Sequence, residues 1–196
     1  GFGDKTQLLQ ASLSAQARNT AYQSATTLAQ TQADLQNTQL DGLASLASQL
    51  QTAISNAVAN NDGVTLMSQV QGLFDQAAAI LNSKDANGDY IYGGGKTDTP
   101  PVTVSSLSDL VSLPSVSQAF ANGDAKKAVQ VADGESVTYG VTASDAATSL
   151  FQVFKDVAAF YIGGSGNFGA GNSLTPAQSD FLTGEIAGAT NANADI

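Results

Sequence analysis

The sequence predicts a mainly α-helical protein with a smaller β-containing insert: an elongated helical-bundle rod domain formed by residues 1–95 and 144–196, and an outer α+β domain formed by residues 96–143. Three observations carry this. The first 99 residues contain no proline, the four prolines being Pro100, Pro101, Pro114 and Pro176. Apolar residues recur every three or four positions in the outer stretches, the period of a helix face. In the middle the period changes to two, on either side of an Asp-Gly pair.

From Asp4 to Asn60 the chain is rich in Ala, Gln, Leu, Ser and Thr, a composition compatible with helix. Leu43, Leu46, Leu50, Ile54 and Ala57 define one face. Before them, Leu8, Ala15, Tyr22, Ala25, Ala29 and Leu35 give a narrower stripe of smaller residues, which permits close helix approach. Taken whole, this is a helix on the order of 85 Å long, more than a compact domain needs, so an elongated molecule is expected. Asp41-Gly42 marks either a bend or a glycine tolerated at a cost of about 1 kcal/mol; a continuous helix is the favoured reading.

Asn60-Asn61-Asp62-Gly63 is a turn signal, with Asp62 a candidate cap for the next helix. That helix carries Leu66, Met67, Val70, Leu73, Phe74, Ala77, Ile80 and Leu81, the cleanest amphipathic pattern in the chain, and the short loop makes it antiparallel to the first. Leu43, Leu46, Leu50 and Ile54 are expected to pack against Leu66, Val70, Leu73 and Phe74. After the Asn87-Gly88 turn, Tyr90-Ile91-Tyr92 reads as a short strand ended by Gly93 to Gly95. Val102 to Val104 is strand-like and Ser115 to Ala121 reads as a short helix. Val129 and Val131 alternate before Asp133-Gly134, and Val137, Tyr139 and Val141 after it, which predicts a hairpin with a two-residue turn needing positive φ. Ser144 or Asp145 is the expected cap of a helix bearing Ala147, Leu150, Phe151, Phe154, Val157, Ala158 and Tyr161. A glycine-rich loop, 163–172, leads to a last helix with a Thr175 cap, Pro176 in its first turn, and Phe181, Leu182, Ile186 and Ala189 on its face. The chain opens without Met and both ends fall within helical patterns, from which a fragment of a longer protein is expected.

Seven basic residues against seventeen acidic ones leave a net charge of −10. A single arginine, Arg18, cannot build the phosphate-neutralising surface that nucleic acid requires, and an anionic membrane is disfavoured for the same reason. The absence of Cys and His removes disulfides, thiolate and imidazole metal ligands and the commonest general base. Apolar runs are too short for a membrane-spanning helix, and the N-terminus carries no signal-peptide pattern. Only 12% of residues are charged, about half the usual share of ~25%, and residues 1–60 hold just Asp4, Lys5, Arg18, Asp34 and Asp41. A face so poor in charge is suited to burial in an assembly, because few ions must be desolvated.

The candidate motifs weaken on inspection. Gly164-Ser-Gly166-Asn-Phe-Gly169 matches the dinucleotide fingerprint literally, but that motif needs a strand before it and a helix directly after, whereas a helix precedes it here; it reads as a surface loop. Gly95-Lys96-Thr97 resembles the end of a phosphate-binding loop, yet the required earlier glycine is Tyr90. Asp85, Asn87 and Asp89 open like a calcium loop, but Tyr90 and Lys96 stand where glycine and a bidentate Glu are needed, and turn chemistry explains them. Tyr90, Tyr92 and Tyr139 with Asp98 and Asn122 form a candidate glycan-binding face, set against a reading in which the rings belong to the core. The carboxylates form no local acid–base pair. No catalytic, cofactor-binding or metal-binding residue is assigned, and the protein is read as a non-enzyme.

The run Leu73-Phe-Asp-Gln-Ala-Ala-Ala-Ile-Leu-Asn82, followed by Asp85-Ala-Asn-Gly-Asp-Tyr-Ile-Tyr-Gly-Gly-Gly95-Lys-Thr-Asp-Thr-Pro-Pro-Val102, resembles bacterial flagellins and the related hook-associated junction proteins. Val131-Ala-Asp-Gly-Glu-Ser-Val-Thr-Tyr-Gly-Val141 before the Leu150-Phe151 helix resembles the same group, in the same order along the chain. The resemblance implies that the outer helices form the rod-like inner domain of the family and that the β-containing middle faces outward. It implies a structural subunit of the bacterial flagellar filament, exported and self-assembling outside the cell for motility. Its partners would be other copies of itself and hook-associated proteins, with no nucleic acid and no membrane insertion. The alternatives are a hook-filament junction protein, or a flagellin-like surface adhesin binding glycans. The terminal helical segments that polymerise within such filaments are absent from these 196 residues, so this chain is not expected to polymerise by itself.

Overall fold

A computed structural model of the chain describes residues 1–164, 166–171 and 173–196. Helix α1 runs unbroken from Phe2 to Ala59, roughly 87 Å at 1.5 Å per residue. Gly42 sits inside it without interrupting the helix, close against α2, where a Cβ would meet Ile80 Cδ1 at 3.5 Å. The helix ends where Asn61 adopts a φ of 53°, the left-handed conformation that asparagine tolerates at helix exits. Helix α2, Leu66–Leu81, turns back along the C-terminal half of α1. Its N-cap is Thr65, so Asp62 does not cap it; the Asp62 carboxylate accepts from Val64 N instead, at 2.9 Å, and so shapes the turn.

The middle of the chain is mostly irregular, and the two short strands expected there shrink to single bridges, Lys84 to Tyr90 and Val102 to Phe120. Pro100 and Pro101 bring no N–H to a ladder, and both backbone groups of Val102 are taken by the side-chain amide of Asn82, at 2.8 and 3.0 Å. Helix α3, Leu107–Ser112, is capped by Ser106, whose Oγ accepts from Asp109 N. A single 3-10 turn, Val116–Ala119, stands where a short helix was predicted.

Strands β1, Lys127–Ala132, and β2, Glu135–Tyr139, form the predicted antiparallel hairpin. Only Gly134 in the turn has positive φ, 75°; the register shifts between Gln130 and Ala132, a bulge that adds the twist a two-residue primed turn would otherwise supply. Val141 lies beyond β2. Helix α4, Ala143–Ile162, begins at Thr142 rather than at Ser144 or Asp145: Thr142 Oγ1 accepts from Asp145 N while the Asp145 carboxylate accepts from Thr142 N, a reciprocal box. Helix α5, Pro176–Asp195, starts from a Thr175 cap paired in the same way with Gln178.

One core runs through these elements. Leu43, Leu46, Leu50 and Ile54 of α1 lie in it with Leu66, Val70, Leu73 and Phe74 of α2, as the apolar spacing predicts. Phe74, Phe151 and Phe154 meet at centroid distances of 5.5 to 5.9 Å, and Phe120 joins Phe151 at 5.1 Å, in the tilted and edge-on geometries that aromatic quadrupoles favour. Val102, Leu107, Leu110 and Val116 from the middle of the chain belong to the same core. Helix α5 runs antiparallel to α1: Leu174 N reaches Asn61 O, and Asn193 near its other end donates to Ala44 O.

Candidate assembly surface

The bundle covers only part of α1. Residues 2–14 are all exposed, and, among the described residues, the first polar contact of α1 with another element is Arg18 with Asp133, 3.6 Å apart. Phe2 is 93% exposed and Leu8 74%, with Leu9, Leu13, Leu28 and Leu35 also open. Phe2, Leu9 and Leu13, seven and four residues apart, lie along one line of the helix. At about 100° per residue this line is roughly opposite Tyr22, Ala29 and Gln36, which face the rest of the protein. A line of large apolar side chains in water marks a surface that another helix or protein covers, and the scarcity of charge along it keeps the desolvation cost of such cover low.

On its inner side the same helix receives the hairpin. Tyr22 Oη donates to Asp133 Oδ1 at 2.5 Å, which raises the pKa of the phenol. Tyr139 Oη donates to Gln32 Oε1 at 2.7 Å. Gln36, 5% exposed, holds Val141 with both ends of its amide. The space enclosed between hairpin base and helix, bordered by Gln32, Gln36, Tyr139 and Gly140, amounts to about 20 Å³, room for one water molecule.

The sequence-level site candidates are dispersed. Tyr92 is fully buried in the core, where desolvation pushes its phenol pKa up; its Oη lies 3.5 Å from Gln36 O. It cannot belong to a sugar-binding face, so the proposed aromatic set is not assembled. Tyr90 lies under the Lys84 ammonium, 4.6 Å from ring centroid to Nζ. Asn122 donates to Ser144 Oγ and accepts from Ser144 N, and Asp98 is exposed at a turn. The Asp85 carboxylate accepts from the backbone of Asn87 and Asp89, turn chemistry as predicted, and lies 3.8 Å from Lys127 Nζ. Among the described residues no three acidic side chains converge as metal ligands.

In the glycine-rich loop, Ser165 and Asn172 lie outside the described residues. Among the described glycines of the loop, Gly166 and Gly169 stand where a Cβ would clash with neighbouring backbone, whereas Gly164 and Gly171 face open space. A Cβ on Gly169, whose φ is 84°, would fall 2.9 Å from Val64 N, and one on Gly63 would fall 2.7 Å from Phe168 Cβ. The loop between α4 and α5 thus locks onto the loop between α1 and α2, beside a stack in which Phe160 lies 4.0 Å from Phe181 and 5.8 Å from Phe168. No helix among the described residues is long and apolar enough to cross a membrane.

The chain has counterparts among known proteins. Flagellar hook-associated protein 3 of Escherichia coli (strain K12) is 36% identical over 98 residues, covering 44% of this chain and 29% of that protein. The protein of the same name from Salmonella typhimurium is 34% identical over 98 residues, with the same coverage. The chain resembles flagellar hook-associated proteins. The match takes in less than a third of the length of these curated relatives. A solved structure named as a flagellar hook-associated protein from Vibrio parahaemolyticus shares the fold, with a TM-score of 0.69 over 97% of this chain and 80% of that one, at 18% identity. No protein-family model matches the chain. These likenesses are to flagellar hook-associated proteins and do not single out flagellin.

The apolar spacing of the sequence puts Leu8 and Leu35 on one narrow stripe with Tyr22 and Ala29; in the structure both leucines are exposed while Tyr22 and Ala29 turn toward the rest of the protein. Helix α3 was missed, although Ser106-x-x-Asp109 ahead of Leu110 is a cap signal. The Gln36 clasp carries no sequence signal, since its partner lies 105 residues away.

Proposed function

We propose that this chain is part of a hook-filament junction subunit, a non-enzymatic structural protein assembled outside the bacterial cell between the flagellar hook and its filament. The observation that carries the reading is the 36% identity to flagellar hook-associated protein 3, from a sequence whose resemblance spans both flagellins and junction proteins. The geometry supports it: the long α1 presents an apolar stripe on a nearly uncharged helix, which suits repeated contact with other copies and with neighbouring hook-associated proteins through a heterologous interface. The segment 96–143 then faces away from the assembly axis.

The test uses the full-length protein that contains this chain, mixed with purified hooks and viewed by electron microscopy. A short assembly confined to the distal hook end is the expected result. Growth of long filaments from the hooks would make the protein a flagellin, and hooks left bare would overturn a junction role.

A further inference from the structure

The hairpin is attached to α1 differently at its two ends. No residue of β1 or β2 is buried, so the hydrophobic core does not hold it, and a two-stranded hairpin is marginally stable alone. At the base, Gln36 clasps Val141, Lys127 lies 3.8 Å from the largely buried Asp85 carboxylate, and Lys126 lies 3.6 Å from Asp145. At the tip one side chain does the holding: Asp133 Oδ1 accepts from Tyr22 Oη and lies 3.6 Å from Arg18 Nε. Beside the tip contact, hairpin and helix border an open groove of about 600 Å³, lined by Asn19, Tyr22, Gln23, Thr26, Thr27 and Val131. Gly140, with φ 82°, joins β2 to the clasped base.

We propose that the hairpin is a releasable strap over α1, pivoting at Gly140 and Val141 and latched at its tip by Asp133 to Arg18 and Tyr22. Lifting the tip uncovers the Tyr22 face of α1, while the base clasp keeps the hairpin on the protein. The latch joins Asp133 of the hairpin turn to Arg18 and Tyr22 of a charge-poor helix, and its ion pair is solvent-exposed, so salt weakens it more than it weakens the Gln36 clasp or the Lys127 pair with the largely buried Asp85. The strap follows from this geometry whichever flagellar role the protein has.

Hydrogen exchange of the intact chain, resolved by segment, tests it, because local opening is read directly as faster exchange. Asp133→Ala should speed exchange of the amides in 127–139 on the order of tenfold, with α4 and α5 unchanged. Tyr22→Phe, which removes only the hydroxyl, should give a smaller acceleration in the same segment. Glu135→Gln, next to the turn but outside the latch, should give none. Raising NaCl toward ~1 M should speed hairpin exchange more in the unaltered protein than in Asp133→Ala, where only the ion pairs at the base remain to be screened. Unchanged hairpin exchange in both latch variants, or equal acceleration in α4 and α5, would overturn the strap.

Discussion

The side-chain amide of Gln36 binds the backbone of Val141 twice, Nε2 donating to the carbonyl at 2.9 Å and Oε1 accepting from the amide at 3.0 Å. A helical glutamine thereby completes the backbone pairing of a residue just past a strand, where no neighbouring strand exists to do so. The same device recurs with Asn82 on Val102 and, through a backbone amide and a hydroxyl, with Asn122 on Ser144. In a chain with so few charges, neutral amides do the bridging that ion pairs do elsewhere.

Gln36→Ala should therefore destabilise the fold. Two hydrogen bonds at a buried position are lost and two backbone groups of Val141 are left without partners, a cost of about 2 kcal/mol. For a chain of this size that lowers Tm by roughly 4–8 °C, measurable by thermal circular dichroism. An unchanged Tm would mean that water replaces the clasp at no cost.

The glycines should divide by geometry. Gly169→Ala places a Cβ against Val64 at a φ of 84°, where strain and clash add to about 2–4 kcal/mol of lost stability. Gly184→Ala, inside α5 with nothing within 4 Å of its Cβ position, should instead gain about 0.5–1 kcal/mol from helix propensity. Urea denaturation midpoints of the two variants should move in opposite directions.

Glu185 gives the protein a pH dependence. Burial against α4, and then the neighbouring Asp156 charge, raise its pKa from 4.5 to about 7, so the folded chain binds this proton more tightly than the unfolded one. The resulting stability is fully present below pH ~4.5 and is lost as pH rises through about 7. Tm measured across that window should decline by this contribution, and Glu185→Gln should flatten the decline. An identical pH profile in the variant would remove Glu185 as its source.

The legible parts of the fold are those written locally. The α2 stripe from Leu66 to Leu81, the Thr175-Pro176 start of α5 and the Asp133-Gly134 turn each depend on neighbours within a few residues, where periodicity, capping and φ preference act directly. The strands expected at Tyr90 to Tyr92 and Val102 to Val104 failed for the opposite reason. Their alternating apolar residues fit a strand, but a ladder needs a partner, and the core took Tyr92 while Asn82 took Val102.

The candidate surface divides the same way. That α1 is long and poor in charge is readable from the chain alone, because composition and helical period are local properties; that it runs unbroken through Gly42 was only the favoured of two readings. Which side of α1 is free was set by packing. That depended on where the hairpin lands and where α5 runs, contacts between residues more than 100 positions apart: Tyr22 with Asp133, Gln36 with Val141, Asn193 with Ala44. These distant pairings are set by the closing of the whole core, and no local pattern in the sequence encodes them.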